Sequence, residues 1–128
     1  MSTAELEALR TEIERITEET KTRRMKWSRS NPTTFIWTST GTPRGRLTLQ
    51  RTSQTGQTIT GGRVERVTTK NYVFSVLESP TNNVKLSVNT TAKDYTTLRE
   101  PLEKLFDTIA VGFDQEALDF LKQVMGRP

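Results

Sequence analysis

Cysteine and histidine are both missing from the 128 residues of this chain, and apolar residues are scarce. The lack of cysteine excludes disulfides, thiolate metal sites and a cysteine nucleophile. The lack of histidine removes the usual general base near neutral pH and the commonest transition-metal ligand, so histidine-dependent hydrolase triads are excluded. Hydrophobic residues make up 32% of the sequence, which predicts a small core under a large polar surface.

Further absences narrow the classes of function. Neither G-x-G-x-x-G nor G-x-x-x-x-G-K-[ST] is present, so the standard phosphate-binding loops are missing and we expect no cofactor. The C-terminal carboxylates have the spacing of solvated helix faces, which predicts neither a catalytic nor a metal site. The N-terminus lacks the apolar region of a signal peptide, and no run approaches the length of a membrane span. We therefore expect a non-enzymatic, cytoplasmic protein without a membrane partner.

Charge is unevenly distributed along the chain. Residues 1–20 carry a net charge of −4, residues 21–70 carry +10 with Glu65 as their one acid, and residues 71–128 carry −2. Clustered Lys and Arg side chains attract anions, and salt weakens this attraction. Two interpretations stay open: the acidic ends neutralise the basic middle, or the basic middle contacts an anionic ligand or an acidic protein surface.

If the strands of the middle segment pair as neighbours, their basic side chains can form a stripe on the sheet, beside a second patch at the exit of the first helix. Trp27 and Trp37 are candidate platforms for stacking on nucleobases, although core or interface positions are the commoner use of Trp. Pro43 to Arg46 resembles the Arg-Gly-Arg-Pro core of an AT-hook, which binds the DNA minor groove. Leu47 stands where that core has its final proline, and a β-turn is the preferred interpretation. The predicted anion-binding residues are Arg44, Arg46, Arg51, Arg63, Arg66, Lys70, Arg23 and Arg24.

The N-terminal segment predicts a long helix from Thr3 to about Lys26. Ser2 and Glu5 have the spacing of a capping box, which marks the start of a helix. The apolar positions Leu6, Leu9, Ile13 and Ile16 follow at the heptad steps of 3, 4 and 3, forming a narrow seam. This seam either packs on the chain's own sheet or pairs with a second copy, and we predict that it is an oligomer interface.

From residue 33 to residue 89 the pattern changes to strands separated by turns. Strands are predicted over Thr33–Thr40, Arg46–Thr52, Thr58–Thr60, Val64–Thr69, Tyr72–Glu78 and Val84–Val88, with Ser53–Gln57 as a polar connection. Gly61 and Gly62 predict a two-residue hairpin turn. Connections this short imply an antiparallel meander of about five strands.

Residues 94–126 return to a helical pattern. Pro101 suits a first helical position, and Leu102, Leu105, Phe106 and Ile109 form an apolar stripe that Gly112 closes. Asp114 is predicted to cap a last helix, with Ala117, Leu118, Leu121 and Val124 facing inward and Phe120 as a further candidate for that face. The sequence thus predicts one α+β domain over residues 1–128: a helical arm (1–27), an antiparallel sheet (33–89) and two short C-terminal helices packed on the sheet (94–126).

These observations favour a binding module over an enzyme. The leading hypothesis is a homo-oligomer whose basic sheet region contacts a nucleic acid, a nucleotide or another phosphate-bearing ligand. The alternative is a small regulatory partner, such as an adaptor, inhibitor or antagonist of a larger protein, with no role in nucleic-acid binding.

Overall fold

A computed structural model describes residues 1–126 of the chain. It confirms an α+β fold with a five-stranded antiparallel sheet. The chain divides into two compact units: a helical unit that contains its first 27 residues and the C-terminal helix, and a sheet unit that runs from Ser28 to Arg99. The prediction that the chain forms a single domain stays a prediction.

The first helix, α1 (Thr3–Lys21), begins with the predicted capping box. The Ser2 hydroxyl accepts a hydrogen bond from the Glu5 amide at 3.2 Å, and the Glu5 carboxylate accepts one from the Ser2 amide at 3.5 Å. These two bonds satisfy amides that have no partner inside the helix. The start of α1 is therefore encoded locally.

The end of α1 lies earlier than the predicted Lys26. Arg23 adopts a left-handed conformation with φ of 64° and donates its amide to the Thr20 carbonyl at 3.1 Å. The Arg24 amide donates to the Glu19 carbonyl at 2.9 Å. These bonds form a Schellman motif, which terminates a helix even without the usual glycine. The helix ends here because no apolar residue extends the seam beyond Ile16.

The sheet is a simple meander in which neighbouring strands in sequence are neighbours in space, in the order β1 to β5. All pairs are antiparallel. The strands are β1 (Ser28–Asn31), β2 (Thr34–Thr38), β3 (Gly45–Thr60), β4 (Arg63–Glu78) and β5 (Asn83–Asn89).

Two features of the sheet differ from the prediction. The edge strand β1 lies between the predicted helical arm (1–27) and the predicted sheet (33–89), because Pro32 and the polar residues before it carry no strand pattern. Its backbone nevertheless pairs with β2, and the Asn31 side chain accepts two hydrogen bonds from Thr33 that shape the turn between them. The second difference is that Ser53–Gln57 is not a connection, since β3 and β4 each run unbroken for 16 residues.

The core of the sheet unit lies on one face of the meander. Phe35, Leu49, Phe74 and Val88 pair side by side across β2, β3, β4 and β5, and each is at most 1% exposed. Aromatic and β-branched cross-strand pairs are the usual source of stability in such a sheet. Leu47 and Leu49, which alternate with polar residues along β3, both lie on this face.

A polar cluster is buried where β4 enters the main part of the sheet. The Asn71 carbonyl oxygen accepts hydrogen bonds from the Thr90 hydroxyl at 3.2 Å and from Arg99 Nη2 at 2.9 Å. The Tyr72 amide donates to the Thr90 hydroxyl at 2.9 Å. Asn71 and Thr90 are almost fully buried, so these bonds offset the cost of removing their polar groups from water.

The prediction of two short C-terminal helices is wrong. A 3-10 helix (Lys93–Leu98) leads directly into one long helix, α2 (Arg99–Val124). Gly112 lies inside α2 and does not end it, because a single glycine costs a helix only about 1 kcal/mol relative to alanine. Pro101 lies in the first turn, where its missing amide hydrogen is not needed.

The two halves of α2 differ in burial. Leu102, Leu105, Phe106 and Ile109 are buried, as predicted from their spacing. The inward orientation predicted for the second half is wrong: every residue from 114 to 126 is exposed, including Ala117, Leu118, Leu121 and Val124.

Candidate functional site

The two longest strands continue beyond the sheet as a two-stranded ribbon, which we define as residues 53–70. Toward the Gly61–Gly62 turn, the pairing of β3 with β2 stops at Gln50 and the pairing of β4 with β5 stops at Val73. Arg51 and Tyr72 still form backbone hydrogen bonds with Thr33 and Thr90. From Ser53 and Lys70 outward, β3 and β4 pair only with each other, through eight residues on each strand. At about 3.3 Å per residue, the ribbon extends about 27 Å from the sheet.

The ribbon follows from local sequence rather than from packing. Threonine recurs along both strands and favours extended backbone, while apolar side chains for a core are nearly absent. Gly61 and Gly62 have φ of 58° and 77°, the conformation that a tight two-residue hairpin turn requires. All its side chains are exposed except that of Thr69, which is half-buried. The ribbon is thus ordered backbone that presents polar side chains on both faces.

Strict pairing between β3 and β4 divides the ribbon into two faces. Side chains alternate between faces along a strand, and directly paired residues share a face. The face that continues the buried side of the sheet is called the basic face below. Within the ribbon it consists of Ser53, Thr55, Gln57 and Ile59 from β3 and of Val64, Arg66, Thr68 and Lys70 from β4, and Arg51 continues it one step into the sheet.

Three cations and no acid lie on the basic face. Lys70 is diagonal to Arg51, about 7 Å away for such a pair, and Arg66 lies four residues further along β4. Lys70 and Arg66 are exposed and form no ion pair with any residue between 1 and 126, whereas Arg51 is half-buried. The opposite face carries Arg63 and Glu65, whose charges cancel. The positive charge is therefore concentrated on one side of the ribbon.

Arg29 extends this positive surface onto the sheet, although it lies close to the end of the predicted helical arm in the sequence. It pairs with Phe35 across β1 and β2, and its guanidinium carbon lies 5.5 Å from the centre of the Phe35 ring. A contact of this geometry is a cation–π interaction, which fixes the position of the charge. The signal that could have revealed it is the alternation of β1, which is too short to be recognised in the sequence.

The other predicted basic residues lie elsewhere. Arg44 is in the turn before β3, at the opposite end of the hairpin from the ribbon tip. Arg46 points to the opposite face and donates to Asn82 Oδ1 at 3.4 Å. Arg23 and Arg24 belong to the helical unit, where Arg24 pairs with Glu19 at 3.6 Å. The basic face thus contains Arg51, Arg66 and Lys70 from the predicted set.

The two tryptophans differ from the open platforms that base stacking needs. Trp27 is 8% exposed, and its indole N–H donates to the Thr20 hydroxyl at 3.0 Å. Trp37 is half-buried on the core side of β2, where it pairs with Leu47. Both positions are those of packing residues.

The predicted oligomer seam on α1 is partly covered within the chain itself. Ile13 is 0% exposed, so it has no surface left for a second copy, while Leu6, Leu9 and Ile16 are half-buried. Self-association through this seam stays a prediction.

Comparison with protein-family models, with curated proteins and with solved structures finds no match. Among residues 1–126, no group of three carboxylates comes together in a way that would hold a metal ion. No helix in that range combines the length and the apolar character needed to span a membrane. The ribbon is therefore the part of the molecule from which a function is proposed.

Proposed function

We propose that the chain is a non-enzymatic nucleic-acid-binding module that contacts its partner through the basic face of the ribbon. The observation that carries this proposal is the segregation of Arg51, Arg66 and Lys70 on one face of an ordered, protruding hairpin. A two-stranded ribbon fits the major groove of duplex DNA, and side chains on its faces reach phosphates and base edges. Threonine, serine and glutamine on the same face supply hydrogen bonds to phosphate oxygens.

The spacing of the cations favours a polymer over a single nucleotide. From Arg51 to Arg66 the basic face covers about six residue steps, or about 20 Å along the strands. Each strand of duplex DNA carries a phosphate about every 3.4 Å along the axis, so a surface of this length meets several of them. Small ligands are usually held in a concave pocket with convergent polar groups, and an open ribbon is a different kind of surface.

The test measures binding of the full chain to a fluorescently labelled duplex and to a single strand of the same length across a salt series. The substitutions Arg66→Ala and Lys70→Ala together are expected to lower the salt slope on duplex DNA by about 2, because each lost phosphate contact removes about 0.9 from it. Arg44→Ala, which removes an exposed arginine from the opposite end of the hairpin, is the matched control and is expected to leave the slope unchanged.

The same variants define the contradicting outcomes. An equal loss in the Arg44→Ala control would mean that net charge matters and the ribbon does not. Absence of binding by the wild-type chain at low salt would remove the nucleic-acid proposal altogether. Circular dichroism of each variant checks that the sheet is intact.

The second candidate is a protein-interaction role as an adaptor, inhibitor or antagonist of a larger protein. The exposed apolar side chains in the second half of α2 favour it, since such surfaces mark protein contacts. This role predicts that another protein copurifies in a stoichiometric amount and still binds the chain that carries both Arg66→Ala and Lys70→Ala. It also predicts that the chain binds neither the labelled duplex nor the labelled single strand.

A further inference from the structure

The second half of α2 presents an apolar face that no described residue covers. Val111, Leu118, Leu121 and Met125 are 65%, 52%, 54% and 62% exposed. Together with Asp114 they follow one another at steps of 3, 4, 3 and 4, the heptad spacing of a seam between two helices. This spacing is strict, and it lies on the part of the helix that the core of the chain does not use.

The seam is wide as well as regular. At about 100° per residue, it occupies one half of the helix surface together with Phe120 and Val124, which are 67% and 65% exposed. Gln115, Asp119 and Gln123 occupy the other half, and Gln115 donates to Asp119 at 3.0 Å. A helix with one polar and one apolar face is made to pack on another surface.

The area of this face matches what a dimer needs. Six side chains that are each more than half exposed leave about 100 Å² apiece, or about 600 Å² on one chain. A monomeric protein seldom exposes a larger apolar patch than this. Phe120 lies at the far edge of this half of the helix, so two copies that cover each other's seam with the other five side chains would bury about 1,000 Å² in total, which is what a specific protein interface needs to reach.

The charges of the seam select the partner and its direction. Asp114 lies within the apolar seam and Lys122 lies beside it, and neither forms an ion pair with residues 1–126. An antiparallel second copy centred between Leu118 and Leu121 would bring its own Lys122 within about one helical turn of Asp114. Symmetry repeats this pair at the other end of the contact.

A parallel pair would have the opposite electrostatics. It would place the two Asp114 carboxylates next to each other in an apolar contact, which is unfavourable for like charges. We infer that the second half of α2 is the site of homodimerisation, in an antiparallel two-fold helix pair with reciprocal contacts between Asp114 and Lys122. This inference is independent of the proposed nucleic-acid function and moves the expected interface from α1 to α2.

The first experiment measures the mass of the full chain in solution by light scattering from micromolar to submillimolar concentration. The wild-type chain is expected to have twice the mass of one chain at the upper end. Leu118→Asp combined with Leu121→Asp is expected to give a single-chain mass with unchanged circular dichroism, because both side chains are already exposed. Leu9→Asp, a change of the same kind on the α1 seam, is the control and is expected to leave the dimer in place.

The second experiment exchanges the charges. Asp114→Lys alone and Lys122→Asp alone each replace two attractive contacts by two repulsive ones, and each is expected to weaken the dimer about tenfold or more. Mixing these two variants is expected to restore dimers, now as heterodimers, since every facing pair is again of opposite charge. Glu116→Lys, a charge reversal on the polar half of the helix, is expected to leave the dimer constant within about twofold.

Several outcomes would overturn the inference. A wild-type chain that stays monomeric at submillimolar concentration has no such interface. Dissociation by Leu9→Asp with retention of the Leu118→Asp and Leu121→Asp dimer would assign the contact to α1. Pairing of Asp114→Lys with the wild-type chain that is tighter than either chain's own homodimer would indicate a parallel pair, because only that arrangement sets position 114 of one chain against position 114 of the other. A monomeric chain that captures a different protein through this face would make the occupant a foreign partner.

Discussion

The two halves of the β3–β4 hairpin are made of the same backbone but of different side chains. Near the sheet, Leu49 and Phe74 pair directly and are buried, whereas in the ribbon the pairs Gln57 with Arg66 and Thr55 with Thr68 are exposed. Hydrogen bonding between the strands is continuous through both halves. The part of the hairpin within the sheet, called the base of the hairpin from here on, is therefore stabilised by burial of apolar surface. The ribbon depends on its turn, on strand propensity and on its attachment to that base.

The largest difference between the two halves is expected when one side chain in each is truncated to alanine. Phe74→Ala is expected to lower the free energy of unfolding by about 3–5 kcal/mol, because it leaves a cavity in the row that Leu49 and Val88 share. Thr68→Ala in the ribbon is expected to change it by no more than about 0.5 kcal/mol, since its side chain is exposed. Urea denaturation followed by circular dichroism measures both. Similar losses for the two variants would show that the ribbon contributes to the core.

The polar cluster at the boundary between the halves is expected to give an intermediate effect. Asn71→Ala removes the acceptor of the Thr90 hydroxyl and of Arg99 Nη2 and leaves polar groups buried without partners, which costs about 1–3 kcal/mol. Gln54→Ala, the loss of an exposed side-chain amide from the ribbon, is the matched change and should be nearly neutral. The same denaturation experiment compares them, and a neutral Asn71→Ala would mean that the cluster does not stabilise the base.

The smallest expected effect concerns the glycines of the ribbon. Gly61→Ala forces a left-handed conformation on alanine and is expected to lower the stability of the ribbon by about 1–2 kcal/mol. Amide hydrogen exchange is expected to become faster in the ribbon, while the amides in the base of the hairpin stay protected. Gly56→Ala meets no atom within 4 Å and has no positive φ, so it is expected to leave exchange unchanged or to slow it. If Gly61→Ala accelerates exchange in the base as well, the two halves form one cooperative unit.

Sequence patterns predicted the elements whose signals are local. The capping box of Ser2 and Glu5, the Gly61-Gly62 turn and the stripe from Leu102 to Ile109 were each recognisable from residue type and spacing. The predicted set of basic residues included three members of the basic face, Arg51, Arg66 and Lys70. The position of these three residues on one face could not be predicted, because it depends on the register between β3 and β4. The polar residues Ser53–Gln57 predict a break in β3 where the structure has a continuous strand.

The misjudged elements share a physical cause. Glycine and polar residues predict breaks at Gly112 and in the ribbon, but neighbours of strong helix or strand propensity continue an element through a single unfavourable position. The edge strand β1 was missed for the opposite reason: its residues carry no strand signal, and pairing with β2 is what makes it extended. The periodicity of Leu118, Leu121 and Val124 correctly indicated a helix face but not what that face contacts.

By itself, the sequence determined the class of fold, the antiparallel strand order, the absence of histidine and cysteine chemistry, and the concentration of positive charge in the middle of the chain. Propensity, capping and charge depend on residues close together in the chain, and so they can be recognised without coordinates. The tertiary structure alone decided which cations share the basic face and which apolar helix face is left exposed. Both depend on strand register and on burial, which are set by residues far apart in the sequence.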